Sequence, residues 1–139
     1  MTVRRAHIGD IDAIAEVDHL AGIDEERTRF IRKSLEKESV YVAIEEDRIN
    51  GYCIFDHSFF SRGFISLLIV HPEHRRRGIG LELVRFVESL CESERLFTST
   101  NQSNKPMQSL LRKMGYKRSG VVDDLDPGDP EVFFSKKVK

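Results

Sequence analysis

Three arginines and two glycines, Arg75, Arg76, Arg77, Gly78 and Gly80, stand between an apolar run and an amphipathic one. The run before them, Phe64 to Val70, is short, apolar and partly β-branched, which predicts a buried strand. After them, Leu81, Val84, Val87 and Leu90 recur at helical spacing with Glu82, Arg85 and Glu88 between, predicting a helix from Gly78 to about Ser93. The glycines therefore fall where a strand turns into a helix. A helix start leaves several backbone N–H groups without intrahelical partners and carries a partial positive charge. Glycines lack Cβ, so a bulky anion can come close to those amides, and the arginines add charge beside them. The chemistry implied is a cradle for phosphate or pyrophosphate. It is not a P-loop, which needs Lys and Ser or Thr where Leu81 and Glu82 stand. Nor is it a dinucleotide fingerprint, whose third glycine would take the place of Leu83.

The elements that must position this cradle can be read along the chain. Thr2 to Ala6 predicts a strand, and Asp10 an N-cap for a helix from Ile11 to about Leu20, closed by Ala21 and Gly22. Asp24, Glu25 and Glu26 open a second helix with acids in its first turn. Phe30, Ile31, Ser34 and Leu35 make its inner stripe, and Arg27, Arg29, Arg32 and Lys33 lie outward or along the flank. Val40 to Ile44 and Ile49 to Phe55 predict strands joined by a hairpin over Glu45 to Arg48. Asp56 to Gly63 reads as a loop, in which Phe59 and Phe60 line a substrate entrance or fold back onto the core. After the cradle helix, Leu96 to Thr100 predicts a strand in a parallel crossover with the central one. Lys105 and Pro106 begin another helix, with Met107, Leu110, Leu111 and Met114 as its stripe and Gly115 as its stop. Tyr116 to Val122 and Glu131 to Val138 are the last strands, with an acidic loop between them.

Composition narrows the function classes. The 139 residues hold 32% charged and 40% hydrophobic residues with a net charge of −1, the balance of one ordinary globular domain spanning 1–139. A near-neutral chain offers no global field for nucleic acid or an anionic membrane, and the Arg75 to Arg77 run is local. No apolar stretch approaches the roughly 20 residues of a membrane span, and the N-terminus lacks a signal-peptide core. Cys53 and Cys91 are too few for a disulfide framework or a zinc site and read as buried small hydrophobes. No metal is expected, and the location expected is cytoplasmic.

Two stretches in register carry a resemblance. The first is Arg-x-x-Gly-x-Gly at Arg75, Gly78 and Gly80, after a strand ending in Val-x-Pro. The second runs from Asn104 through Met107, Leu110 and Leu111 to Gly115 and Tyr116, close to Asn-x-x-Ala-x-x-Leu-Tyr-x-x-x-Gly-Phe. Together they resemble the GNAT superfamily of N-acetyltransferases, with matching element order from residue 2 to residue 138. The resemblance implies an α/β (α+β) fold with a mixed, mostly antiparallel twisted sheet of about six or seven strands. That sheet is splayed between its fourth and fifth strands and flanked by about four helices. It implies acetyl-CoA as co-substrate and direct attack of a primary amine on the thioester. The acceptor would be a small-molecule amine or a peptide N-terminus, and the protein a monomer or homodimer. Leu68, Ile69 and Val70 would offer backbone groups to the pantetheine arm, with the Val70 amide stabilising the oxyanion. Amides from Arg76 through Ile79 to Gly80 would hold the pyrophosphate, supported by the side chains of Arg75 to Arg77. Asn104 would bond the pantetheine or the amine side, and Met107, Leu110 and Leu111 would lie against the cofactor.

Two positions depart from the family pattern. Leu111 stands where a tyrosine often acts as general acid, and Ser66 where some members carry a carboxylate base. Ser66 could hold a relaying water, while His57, Asp56 and Glu131 are further candidates for a proton path. The departures leave an alternative, a sensor or accessory module that binds coenzyme A or an acyl-CoA with little or no turnover. The acids Asp123, Asp124, Asp126, Asp129 and Glu131 could attract a cationic amine or form a solvated turn.

Overall fold

The structure is a computed structural model that describes residues 1–18, 24–74 and 78–139. Its strands are β1 (Thr2–Arg5), β2 (Val40–Glu45), β3 (Arg48–Phe59), β4 (Arg62–Val70), β5 (Arg95–Asn101), β6 (Lys117–Val122) and β7 (Glu131–Lys137). Its α-helices are α1 (Ile11–Val17), α2 (Glu25–Glu36), α3 (Ile79–Leu90) and α4 (Lys105–Lys113), with short 3-10 turns at Ile8–Asp10 and Pro72–His74. The strands form one sheet in the order β1-β2-β3-β4-β5-β7-β6. β4 and β5 pair in parallel, and the β1–β2, β2–β3, β5–β7 and β6–β7 pairs are antiparallel. The parallel ladder comprises Gly63↔Leu96, Phe64↔Phe97 and Ile65↔Thr98. That is short for strands of nine and seven residues, in keeping with a sheet splayed at this pair. Among the described residues no helix is long and apolar enough to cross a membrane.

The chain packs as two compact units, Met1–Phe55 with Leu67–Val87, and Asp56–Ser66 with Glu88–Lys139. The first has a core of Ala6, Ile14, Val17, Ile31, Leu35, Val40, Val42, Tyr52 and Ile54, against which Leu67 and Ile69 of β4 pack. Strand side chains alternate between faces, so these two β4 residues face α1 and α2 while Leu68 and Val70 face the other way. The second unit buries Leu96 and Thr98 of β5, Leu111 of α4, Tyr116, and Val132 and Phe134 of β7. Phe59 stacks on Phe64 and Phe133, with centroids 4.8 and 5.8 Å away, on the opposite face of its strands.

Several boundaries differ from the sequence expectation. α1 stops at Val17, where Asp18 turns extended (φ −109°, ψ 102°). The Asp18 carboxylate is buried and accepts from Tyr52 Oη and Arg27 Nη1, both at 2.5 Å. Those bonds hold the residue that was expected to continue the helix, and Leu20, Ala21 and Gly22 lie outside the described residues. Arg27 is thus a tie between α2 and α1 rather than a solvated flank. Asp10 does not cap α1 through its side chain. It accepts instead from the His7 amide and from Arg4, which fixes the turn before the helix. In α2, Asp24 stands before the first turn and caps the Glu26 and Arg27 amides, and Phe30 is exposed while Ile31, Ser34 and Leu35 fill the inner face.

The largest correction is the stretch Asp56 to Gly63, which is not a loop. β3 runs on to Phe59 and β4 begins at Arg62, joined through Phe60 and Ser61 in left-handed backbone (φ 51° and 65°). Glu46 and Asp47 (φ 53° and 62°) make the same two-residue turn between β2 and β3. Neither turn carries the Asn-Gly or Asp-Gly signature. At the second, Phe59 packed on Phe64 across the hairpin supplies the order that turn chemistry does not.

Candidate active site

β4 and the start of α3 meet at the predicted cradle. The amide of His71, just past β4, donates to the Asn50 carbonyl of β3 at 2.8 Å. Backbone N–H and C=O groups turn to opposite edges at successive strand residues. With His71 turned to β3, Val70 and Leu68 turn theirs to the edge away from β3, while Ile69 turns back. The Ile69 carbonyl is indeed the backbone atom nearest a Cβ added at Gly51 of β3, at 3.1 Å. Of the three predicted backbone contacts, Leu68 and Val70 therefore present polar groups at the outer edge. All three residues are half-buried, and Ser66 is exposed.

The helix start follows eight residues later. Gly78 has φ 81°, a conformation that favours glycine, and a Cβ there would meet nothing within 4 Å. Its carbonyl accepts the Glu82 amide at 3.0 Å, the first helical hydrogen bond, so Gly78 is the N-cap and the amides after it are those a helix start leaves open. Ile79 and Gly80 are buried, the Ile79 side chain pointing into the core. Arg75, Arg76 and Arg77 lie outside the described residues.

What seats α3 here is a residue the sequence reading did not single out. A Cβ at Gly51 would lie 2.8 Å from Ile79 Cγ2 and 3.3 Å from Leu83 Cδ1, so the first turn of α3 rests directly on the β3 backbone. The signal was present as a glycine inside a strand pattern, which marks a close approach of another element. Beside it, the turn after β4 brings ligand atoms of His71, Glu73 and His74 within 4.8 Å of one another. The His71 Nδ1 already accepts the Glu73 amide at 3.1 Å.

At the start of α4, Asn104 is exposed and its side-chain oxygen accepts the Met107 amide at 3.2 Å, capping the helix. Met107 and Leu110 are half-buried, whereas Leu111 is fully buried at 0% exposure. The usual tyrosine position thus points into the core in this chain. Tyr116 is buried too, donating to Glu88 Oε2 at 2.7 Å, which also receives Lys136 at 3.0 Å. Burial, then the Glu88 hydrogen bond, push its phenol pKa far up, so it holds its proton at neutral pH.

The other proton-path candidates are engaged in structure. His57 Nε2 accepts the Glu92 amide at 2.9 Å, Asp56 accepts from Ser58, and Glu131 accepts Ser99 Oγ at 2.7 Å. In the acidic loop, Asp126 accepts from Asn101, and Asp129 from the amide and hydroxyl of Ser103. Both cysteines are free and buried, and burial pushes the Cys53 thiol pKa far up, as befits a small hydrophobe.

A curated relative from Bacillus subtilis (strain 168), provisionally named a ribosomal protein bS18-alanine N-acetyltransferase, is 28% identical over 129 residues, 86% of this chain and 82% of the relative. A GNAT-family acetyltransferase from Bacillus cereus ATCC 10987 matches at TM-score 0.89 and 36% identity, over 98% of this chain and 96% of that one. A Salmonella typhimurium acetyltransferase structure with its cofactor acetyl-CoA has the same fold at TM-score 0.80 and 21% identity, covering 100% of this chain and 94% of that one. The model of the acetyltransferase (GNAT) family matches residues 10–116, and the chain belongs to that family.

Proposed function

We propose that the protein transfers the acetyl group of acetyl-CoA to a primary amine by direct attack through a tetrahedral intermediate. The observation that carries this reading is the β4 edge. Leu68 and Val70 turn backbone polar groups away from β3, on the strand that leads to the open N-terminus of α3 at Gly78. The amine nitrogen attacks the thioester carbonyl, the carbonyl oxygen takes negative charge, and the Val70 N–H stabilises it in place. Collapse breaks the C–S bond, and the coenzyme leaves as thiolate, a modest leaving group that departs without a dedicated acid. The amine's proton leaves to solvent, with Ser66 as the water-holding position on β4. The amides of Gly78, Ile79 and Gly80 bind pyrophosphate at the helix start. Arg75, Arg76 and Arg77 are assigned supporting charge. On α4, Asn104, Met107 and Leu110 are assigned cofactor contacts, and Leu111 supports them from within the core. Catalysis is then mostly alignment of two reactants.

We take a peptide or protein N-terminal amine as the first acceptor to try, a choice supported by the relative named for ribosomal protein alanine acetylation. The test is release of free thiol from acetyl-CoA across alanine-first peptides, polyamines, amino sugars and amino acids at pH 7 and 8.5, with a no-amine control. Thiol release that depends on one amine class supports the reading. Tight acetyl-CoA binding with no release on any amine would favour the sensor instead, to which the buried Leu111 at the acid position points.

A further inference from the structure

The two faces of β5 and β7 differ in what covers them. Leu96, Thr98 and Thr100 of β5 are buried, as are Val132 and Phe134 of β7. The alternate residues of both strands lie on the opposite face. There the register sets Phe97 across from Ser135, Ser99 across from Phe133 and Asn101 across from Glu131, with Phe64 of β4 beside Phe97. Phe59 packs onto the same rings, its centroid 4.8 Å from Phe64, 5.4 Å from Phe97 and 5.8 Å from Phe133. All four rings are half-buried, so this face keeps an aromatic wall in contact with solvent.

The wall ends in a polar pair. Ser99 Oγ donates to Glu131 Oε2 at 2.7 Å, and both residues are half-buried. Ser99 follows Thr98, the last β5 residue laddered to β4, so the pair stands where the two strands part. A carboxylate offers about four acceptor sites, of which Ser99 takes one, and the serine oxygen keeps its own lone pairs. The pair therefore accepts hydrogen bonds and carries negative charge, the complement of an ammonium group. Glu131 and Phe133 are two residues apart on one face, about 7 Å along the strand. An amine and an apolar group on its own carbon span that distance. Beyond the rings stands Arg95, 3.4 Å from Ser135 Oγ, so a second ammonium on the same ligand would meet a cation.

We propose that this face is the acceptor subsite, in which Glu131 and Ser99 hold the amine and the Phe97 and Phe133 wall takes an apolar group beside it. The substrate class is then a monoamine with an aromatic or aliphatic substituent, such as a peptide whose first residue is apolar, and not a polyamine or an amino sugar. The inference rests on the acetyl-transfer reading. Steady-state thiol release from acetyl-CoA tests it, with spermidine, glucosamine and tripeptides that differ only in a first phenylalanine, leucine, serine or lysine. Glu131→Gln keeps an acceptor for Ser99 and removes the charge, while Phe133→Ser removes a ring, and circular dichroism checks that each variant is folded. The expected kcat/KM is about tenfold or more higher for phenylalanine or leucine first than for serine or lysine first. In Glu131→Gln the KM for the amine should rise about tenfold or more while that for acetyl-CoA stays at the wild-type value. Phe133→Ser should erase the preference for an apolar first residue. Turnover that ignores the first residue, or a Glu131→Gln chain with the wild-type KM for the amine, would overturn the proposal and leave acetyl transfer standing. No thiol release with any amine would overturn the acetyl-transfer reading and this inference with it.

Discussion

Gly51→Ala adds one methyl group where the structure leaves no room for it. The new Cβ would stand 2.8 Å from Ile79 Cγ2, 3.1 Å from the Ile69 carbonyl and 3.3 Å from Leu83 Cδ1. Ordinary carbon contacts lie near 3.5–4.0 Å, so Ile79 must retreat by roughly 1 Å. It cannot do so by swinging a flexible end, because the clashing atom is a γ-carbon on a β-branched side chain that is 1% exposed. The first turn of α3 must therefore move. Overpacking of this kind costs about 1–3 kcal/mol, offset by about 0.4–1 kcal/mol from the lower chain entropy of Ala in the unfolded state. A net loss of about 1–2 kcal/mol lowers Tm by roughly 3–8 °C in a chain of this size. The functional consequence is separable, since a helix start displaced by about 1 Å no longer meets the pyrophosphate in register. The KM for acetyl-CoA should rise about tenfold or more while the KM for the amine stays near wild type. Thermal unfolding and steady-state kinetics check this, with Gly120→Ala as a control whose Cβ meets nothing. A variant with lowered Tm and unchanged KM for acetyl-CoA would refute the claim that Gly51 seats the cradle.

Tyr52→Phe removes the 2.5 Å hydrogen bond to the buried Asp18 carboxylate and should destabilise the chain by about 1–3 kcal/mol in urea melts. Asp10→Asn should cost about 1–2 kcal/mol at neutral pH, discounted for the partial exposure of Arg4. The Arg4 hydrogen bond holds the Asp10 carboxyl pKa below its ordinary 3.8, so its stabilisation is full above that value and is lost as pH falls through the depressed folded one. Acid-range melts should accordingly show the gap between wild type and variant closing only below about pH 4. Leu111→Tyr forces a larger, polar side chain into a fully buried site. It should cost about 1–3 kcal/mol without raising kcat, a gain in kcat showing instead that the new hydroxyl reaches the leaving thiolate.

The strand, glycine turn and helix around the cradle were legible because period, breaker and length all agreed there. The same held for α4, where Asn104, Pro106 and Gly115 mark both ends. The hairpin over Glu45 to Arg48 was legible too, from a polar run between two apolar ones, whereas the turn at Phe60 and Ser61 was not. Phe60 and Ser61 adopt left-handed backbone because the Phe59–Phe64 stack holds the strands together, a contact between neighbours that single-residue propensity does not encode. The end of α1 was hidden for a similar reason. Asp18 leaves the helix to meet Tyr52, 34 residues away, and Arg27, and no local pattern announces a buried carboxylate with two long-range donors. Phe30 shows the converse, an apolar residue on the expected face that the packing of Ile31 and Leu35 leaves outside. Around the candidate site, the end of β4 and the start of α3 followed from sequence. The burial of Leu111 and the seat at Gly51 needed the tertiary structure.

The central claim is that the amides opening α3 hold the pyrophosphate of acetyl-CoA, and calorimetric titration of the wild type and Gly78→Asp tests it most directly. Gly78 suits the purpose better than the buried Gly80, because it is exposed and its added side chain meets nothing. Aspartate is among the residues that tolerate left-handed backbone, at a cost of about 1–2 kcal/mol, so the fold survives while a carboxylate is set at the mouth of the cradle. The expected result is saturable acetyl-CoA binding by the wild type and affinity about a hundredfold weaker in the variant, from like-charge repulsion at the helix start. Equal affinity in a folded variant would contradict it.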